Sequence, residues 1–376
     1  MQDTQIRSAF VSTNSIVQGE SVSTMWKPIF EQGFEITFAH TSFLWSNEAK
    51  GKAAVYCIIV GFAKAGIVGT KRIYEQDKVI EASNINGYLI SAPNVFIQSR
   101  GKPLTPDMPE MSKGSQPTDG GNLILSAEER ELLISEFPQA DKWVKQYLGA
   151  DDFINGNLRY CLWLKGVMPK DYRSIKPIMQ RLELVAEARR NSPTASVQRD
   201  ADTPMLFTQI RQPETQYLVV PEVSSERRRY IPIGYLEPDV VASNKLYILP
   251  NATLYMFGIL TSNVHMAWMR VVAGRLKSDY SYSPAVYNNF PWPEVTDKQT
   301  EEIEKLAKAV LDAREVYSEN SLADLYDPLA MPPELRKAHQ NLDRAVMKLC
   351  GFTAQNTPSE AACVAALMER YEEMVS

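Results

Sequence analysis

The alternation of apolar and polar positions divides the opening of the chain into short elements. Residues 9–17 (AFVSTNSIV) predict a strand that ends in turn chemistry. In residues 20–32, Val22, Met25, Trp26, Ile29 and Phe30 recur at helical spacing, and Gly33 follows as a stop signal. Residues 34–45 alternate, with Phe34, Ile36 and Phe38 on one face, and residues 53–62 (AAVYCIIVGF) are continuously apolar, as in a central strand. The polar connection SNEAKGK between them suits an antiparallel hairpin. A helix between strands implies a crossover in a parallel sheet covered on both faces. Three strands and one helix are too few for such a sheet. The segment therefore predicts the closing half of a doubly wound domain whose opening half is elsewhere. The alternative is a small α+β domain completed by strands from residues 79–100.

Residues 101–125 are dense in Pro, Gly, Ser and Asp and predict a long connecting loop. Residues 126–148 predict helix, with Ser126 and Glu129 as a capping box and Pro138 splitting the segment into two helices. Residues 174–190 predict another helix, and residues 159–164 (RYCLWL) predict core. Strand patterns dominate residues 204–260 (LFTQI, YLVVPEV, RYIPIGYL, KLYILP, TLYMFGIL), followed by a short apolar helix over 263–272. After NNFPWPEV the pattern becomes helical, over 297–318, 332–350 and 358–374. The predicted division is 1–100, 101–293 and 294–376.

Composition narrows the class. The 376 residues are 44% hydrophobic and 23% charged, as in ordinary globular proteins. No run of 18 apolar residues predicts a membrane span, and the N-terminus lacks a signal-peptide pattern, so a cytoplasmic, non-membrane protein is expected. Cys57, Cys161, Cys350 and Cys363 have no paired spacing, which argues against a zinc site and fits a reducing compartment. His40, His265 and His339 form no cluster in sequence. The net charge is −5, but it is uneven: residues 159–290 hold 17 Lys and Arg against 11 Asp and Glu, between two acidic flanks. That asymmetry points to a polyanion-binding module or to chance surface charge.

The stretches FVSTNSIVQGE, FAHTSFLWSNEAKGKAAVYCIIVGF, TDGGNLILS, RYCLWL, VSSERRRYIPIGYL, HMAWMRVVAGRLKSDYSYS and YNNFPWP resemble the MmeI-like family of DNA adenine methyltransferases. In that family one polypeptide combines a nuclease, an N6-adenine methyltransferase and a target-recognition domain. The resemblance covers residues 7 to about 350. It implies an α/β plus α+β architecture: the C-terminal part of a Rossmann-like S-adenosylmethionine-dependent methyltransferase sheet, a mixed α/β target-recognition domain and a helical tail. Such enzymes hold S-adenosylmethionine at a Gly-rich turn and the adenine at an (Asp/Asn/Ser)-Pro-Pro-aromatic motif. No Gly-x-Gly occurs here, and the one Pro-Pro pair, Pro332–Pro333, opens a tail helix. The expectation is a DNA-recognition portion that binds double-stranded DNA and carries no complete catalytic set. S-adenosylmethionine would be used in the complete enzyme and is not expected bound to this chain alone. The further partner implied is the N-terminal nuclease and methyltransferase portion. The alternatives are a specificity or decoy subunit acting through protein–protein association, and an inactive remnant.

Candidate residues follow. A base in duplex DNA must be extruded before its exocyclic amine can be methylated. The family implies that the loop HTSFLWSN supplies the ring beneath it, Phe43 first and Trp45 second; the alternative is core packing. In GRLKSDYSYS, Lys277 and Asp279 are two apart and would point the same way in an extended segment. A lysine donates to guanine and a carboxylate accepts from cytosine N4, so the pair could read one G·C pair. These positions resemble base-reading positions of the family, next to the methylated adenine, which implies a G immediately 3′ of it. The alternative is a surface ion pair. Ser224, Ser225, Arg227, Arg228 and Arg229 form a candidate DNA-backbone set, since Ser and Arg are standard phosphate contacts; Arg270, Arg275 and Tyr282 are weaker members. YNNFPWP reads as a rigid boundary and His265 as a core histidine.

Overall fold

The computed structural model describes residues 5–45 and 55–376, so the SNEAKGK connection lies outside the described residues. Strand β1 is Ser8–Thr13, helix α1 Ser21–Glu31, and strands β2, β3, β4 and β5 are Phe34–Trp45, Val55–Lys64, Lys71–Glu75 and Lys78–Ala82. They form one sheet in the order β1-β3-β2-β4-β5. β3 runs antiparallel to both β1 and β2, so β1 and β2 are parallel to each other with β3 between them. The predicted crossover through α1 is present, and the continuously apolar strand is interior as expected. β2 and β4 pair in parallel, and β4–β5 is an antiparallel hairpin.

Two expectations need correction. The sheet gains β4, which the pattern did not reveal, and regular pairing within residues 79–100 stops at Ala82. The alternation of β2 is broken by bulges between Ile36 and Phe38 and between His40 and Phe43. Ile36 and Ala39 are therefore the buried pair, while Phe38 is half-exposed. Its ring lies over Gly61, where an added Cβ would stand 2.0 Å from Phe38 Cε1, so the site excludes any side chain. On α1, Val22 and Trp26 are fully buried, and the Trp26 indole donates to the Ile16 carbonyl at 2.9 Å. Removing a side chain of that size from a packed core costs about 3–5 kcal/mol. β1 is an edge, and Phe10 and Val11 on it are 45% and 57% exposed.

The core under α1 continues without a break through Leu218, Phe257 and Trp268 into the tail helices at Val346 and Met368. A second core holds Leu123, Trp143, Cys161, Ile178 and Val185. The predicted loop 101–125 contributes two short strands: Ser112–Lys113 pairs with Leu246–Pro250, and Ile124–Leu125 with Tyr160–Leu162. The Ser126–Glu129 capping box forms, and helix Ala127–Glu136 ends before Pro138 as read from the sequence. The expected second helix is only a short 3-10 helix, Pro138–Trp143, and the chain continues as strand Val144–Leu148, antiparallel to Tyr160–Leu162 and parallel to Val241–Ala242. TLYMFGIL is a helix, Leu254–Leu260, not a strand. Thr253 caps it, and a Cβ on Gly258 would meet Ile303 at 2.8 Å, which marks how closely helix Asp297–Glu315 approaches. A segment apolar on all sides has no period to read. The helices Lys176–Arg190, Asn263–Val272, Pro333–Leu349 and Glu360–Val375 follow the predicted ones closely. YNNFPWP is a boundary as read: Asn288 and Asn289 donate to the carbonyls of Arg100 and Gln98, and Phe290 and Trp292 are buried.

Candidate nucleic-acid interface

Helix Asn263–Val272 runs directly into a hairpin of strands Gly274–Leu276 and Asp279–Ser281. Leu276 pairs with Asp279, so Lys277 and Ser278 are the two turn residues. Lys277 has φ +59°. Lysine rarely occupies that left-handed region, and tight hairpin turns require it. The extended geometry expected for Lys277 and Asp279 is thus corrected: they flank a turn. Lys277 projects from the exposed tip, beside Leu276 at 58% exposure, and Asp279 is half-buried at the base of the turn.

The second strand of the hairpin pairs with Val223–Ser224, which brings SSERRRY alongside. That segment is a turn beyond Ser224, not a strand: Arg228 N–H donates to the Ser225 carbonyl at 3.1 Å. Arg227 and Arg229 face outward, and Arg228 is half-buried. Burial holds the Arg228 guanidinium below its ordinary range, opposed by the nearby Asp279 carboxylate. Arg275 stacks on the Tyr280 ring at 3.8 Å and donates to the Ser278 carbonyl at 2.7 Å. Its Nε is buried without a partner, as is the hydroxyl of Ser224.

Ser224, Ser225, Arg228, Arg275 and Asp279 line one cleft of about 670 Å³, with helix Ala150–Asn155 as its opposite wall. Glu222 and Lys245 stand at the same cleft. Glu222 bonds Lys113 at 2.8 Å and Lys245 at 3.0 Å. Burial disfavours its charge, but those hydrogen bonds prevail and its carboxyl lies below the usual range.

Phe43 and Trp45 end β2, with ring centroids 6.2 Å apart. Trp45 is 51% exposed and Phe43 half-buried, so neither is a core residue. Tyr56, on the neighbouring strand opposite Leu44, donates to Glu226 Oε1 at 3.1 Å. The start of β3, paired with the end of β2, is therefore in contact with the arginine turn.

Three candidates lie elsewhere. Tyr282 is 1% exposed and shares a hydrogen bond of 2.9 Å with His265 Nε2, so it is a core residue and is dropped from the surface set. His265 is a hydrogen-bonded core histidine, as read. Arg270 donates to Glu360 of the tail at 2.8 Å and to the Arg229 carbonyl at 2.6 Å. With Arg229 it lines a separate hollow against helix Glu360–Val375. The basic balance of residues 159–290 is likewise partly internal: Arg181 and Arg189 donate to backbone carbonyls and Arg159 pairs with Asp152. The sequence reading missed Tyr56, Glu222, Glu226 and Lys245, because single residues without a motif acquire meaning only from neighbours distant in the chain.

A five-stranded sheet, a polar cleft under a hairpin with Lys277 in the left-handed region, and a helical tail follow one another along the chain. Three family models match in that order: "MmeI, DNA-methyltransferase domain" over residues 1–75, "MmeI, target recognition domain" over 91–294, and "MmeI, C-terminal domain" over 295–376. The chain belongs to the MmeI family. It is 38% identical over 372 residues to DNA methyltransferase A of Bacillus subtilis (strain 168), covering 99% of this chain and 42% of that protein. It also matches the solved structure of the type IIL restriction-modification enzyme MmeI in complex with DNA, with a TM-score of 0.91 and 43% identity over 99% of this chain and 50% of that one. The chain thus spans about half the length of the relatives it matches. No helix among the described residues is long and apolar enough to cross a membrane.

Proposed function

We propose that the chain is the DNA-recognition portion of a site-specific N6-adenine DNA methyltransferase of a restriction–modification system. The observation that carries this reading is the match, over nearly the whole chain, to a structure solved with DNA, with the polar cleft and Lys277-tipped hairpin in its recognition domain. On this reading Lys277 and Asp279 read one G·C pair, with G immediately 3′ of the target adenine. Ser225, Arg227, Arg228 and Arg275 hold phosphates, with Ser224 beneath them. Phe43, seconded by Trp45, stacks against the extruded adenine. Arg229 and Arg270 act behind this surface, tying the arginine turn to the tail.

The β1–α1–β2 crossover with β3 inserted is read as the end of a Rossmann-like methyltransferase sheet. The described residues do not fit S-adenosylmethionine: no Gly-x-Gly turn follows a strand, and Gly61 is filled by Phe38. No methyl-transfer step is assigned to this chain. The donor would be held by the portion of the methyltransferase domain outside it, joined along the exposed β1 edge. The same edge supports a second reading, a specificity subunit that works by protein–protein association, since an unpaired apolar strand is a template for pairing.

The test is selection of bound duplexes from a random pool by the purified chain, followed by a salt titration. The expected result is an enriched site containing an A-G step, with affinity falling as salt rises, by a log–log slope of about −0.9 per phosphate contacted. Self-association without enrichment favours the second reading. Transfer of a labelled methyl group to DNA by this chain alone overturns the assignment of the donor site.

A further inference from the structure

We infer that Glu226 is a positioning residue that fastens the base-reading hairpin to the strand pair carrying Phe43 and Trp45, so that both parts of the DNA surface are set as one body. The inference rests on the DNA-reading function proposed above.

Glu226 follows Ser225 in the arginine turn. Its two carboxylate oxygens serve different parts of the molecule. Oε1 accepts from the Tyr56 hydroxyl at 3.1 Å, on β3. Oε2 pairs with Arg275 Nη1 at 3.3 Å, on the hairpin. Its backbone N–H donates to Asp279 Oδ1 at 3.2 Å, which fixes the rotamer of a proposed base-reading carboxylate. Arg275 passes the restraint on to the Ser278 carbonyl. Residues 275, 278 and 279 of an eight-residue hairpin thus depend on one side chain and its own amide. On the other side, Tyr56 faces Leu44 in the β2–β3 register, the residue between Phe43 and Trp45. The hydrogen bond to Glu226 holds the Tyr56 hydroxyl above its ordinary range, in keeping with its place as the donor of that bond.

Magnitude separates this role from simple fold stabilisation. The Glu226 side chain is 33% exposed, and a pair open to solvent adds little to fold stability. Its side-chain partners, Tyr56 and Arg275, lie outside the continuous core. A carboxylate that contributes so little to stability yet touches β3, the arginine turn and the hairpin acts on their relative placement. Placement matters because a base contact requires hydrogen-bond geometry, whereas a phosphate contact tolerates displacement.

The experiment repeats the duplex selection with E226A, E226Q, Y56F, D279A and the E226A/D279A double variant, each in the full chain. The expected result for E226A is a loss of about tenfold in discrimination at the one base pair read by Asp279, other positions staying within about twofold. In the D279A background E226A should add nothing at that pair. Y56F should weaken the same pair less. E226Q should recover most of the loss, since its amide oxygen still accepts from Tyr56. Equal loss at every position, or additivity with D279A, overturns the inference. Should E226A fail to fold, Y56F carries the test, because it removes one oxygen from a half-buried ring, and unchanged discrimination there overturns the inference as well. A wild-type chain that enriches no site sinks the DNA-reading proposal itself; enrichment by wild type with no change in the variants sinks only this coupling.

Discussion

Arg189 and Arg227 are both arginines of the basic middle third, and the structure uses them in opposite ways. Arg189 is 1% exposed, and its guanidinium donates to five carbonyls, those of Pro117, Thr118, Asp200, Thr203 and Leu206. All five donors of the group are used. Burial holds it below its ordinary range. Arg227, in the turn beside the cleft, is exposed. A saturated, buried arginine cements segments, whereas an exposed one is available to a ligand. Net charge counts them alike.

The largest effect is expected of Arg189→Ala. It strands five carbonyls in the interior, and a loss of about 3–5 kcal/mol is expected in urea unfolding. Arg227→Ala should stay within about 0.5 kcal/mol of wild type in the same assay. Similar values for the two would end the distinction.

The contrast between interior and surface extends to the histidines. Burial pushes His265 down to about 3 and His339 well below its ordinary value, so both are neutral when folded. Above the unfolded value of about 6.5 their contribution is complete; as pH falls below it the unfolded chain takes up protons that the native state refuses. For His265 this amounts to about 2 kcal/mol lost at pH 5. Melting temperatures measured between pH 7 and 5 should fall accordingly, and His265→Asn should flatten the decline. A level profile in wild type contradicts neutral burial.

At the surface the effects concern binding. The K277A/D279A double variant should change preference at one base pair by about 1–3 kcal/mol in competition binding and leave stability intact. Uniform weakening on all duplexes would place both residues among the phosphate contacts. The smallest expected effect is that of Arg227→Ala on DNA, a reduction of about 1 in the salt slope with the sequence preference unchanged.

Several elements were legible because their signals are local. The period of residues 20–32 gave α1, and the Ser126 capping box and Pro138 bounded helix Ala127–Glu136. The tail helices declared themselves by amphipathic spacing. Errors fell where partners decide. Val144–Leu148 is a strand because Tyr160–Leu162 and Val241–Ala242 flank it, and Leu254–Leu260 is a helix because Thr253 caps it and helix Asp297–Glu315 covers it. At the candidate site the residue types were legible and their placement was not. Tyr282 looked like a surface contact, and only its bond to His265 shows it to be core.

The sequence by itself determined the family and the order of the three matching parts, and it marked out the GRLKSDYSYS stretch, since these reside in contiguous strings and in periods of a few residues. The tertiary structure decided which arginines remain available, where β1 lies in its sheet, and that Glu226 joins Tyr56 to Asp279. Those facts depend on contacts between positions as many as 170 residues apart. Burial and hydrogen-bond saturation are properties of such contacts, and no local pattern encodes them.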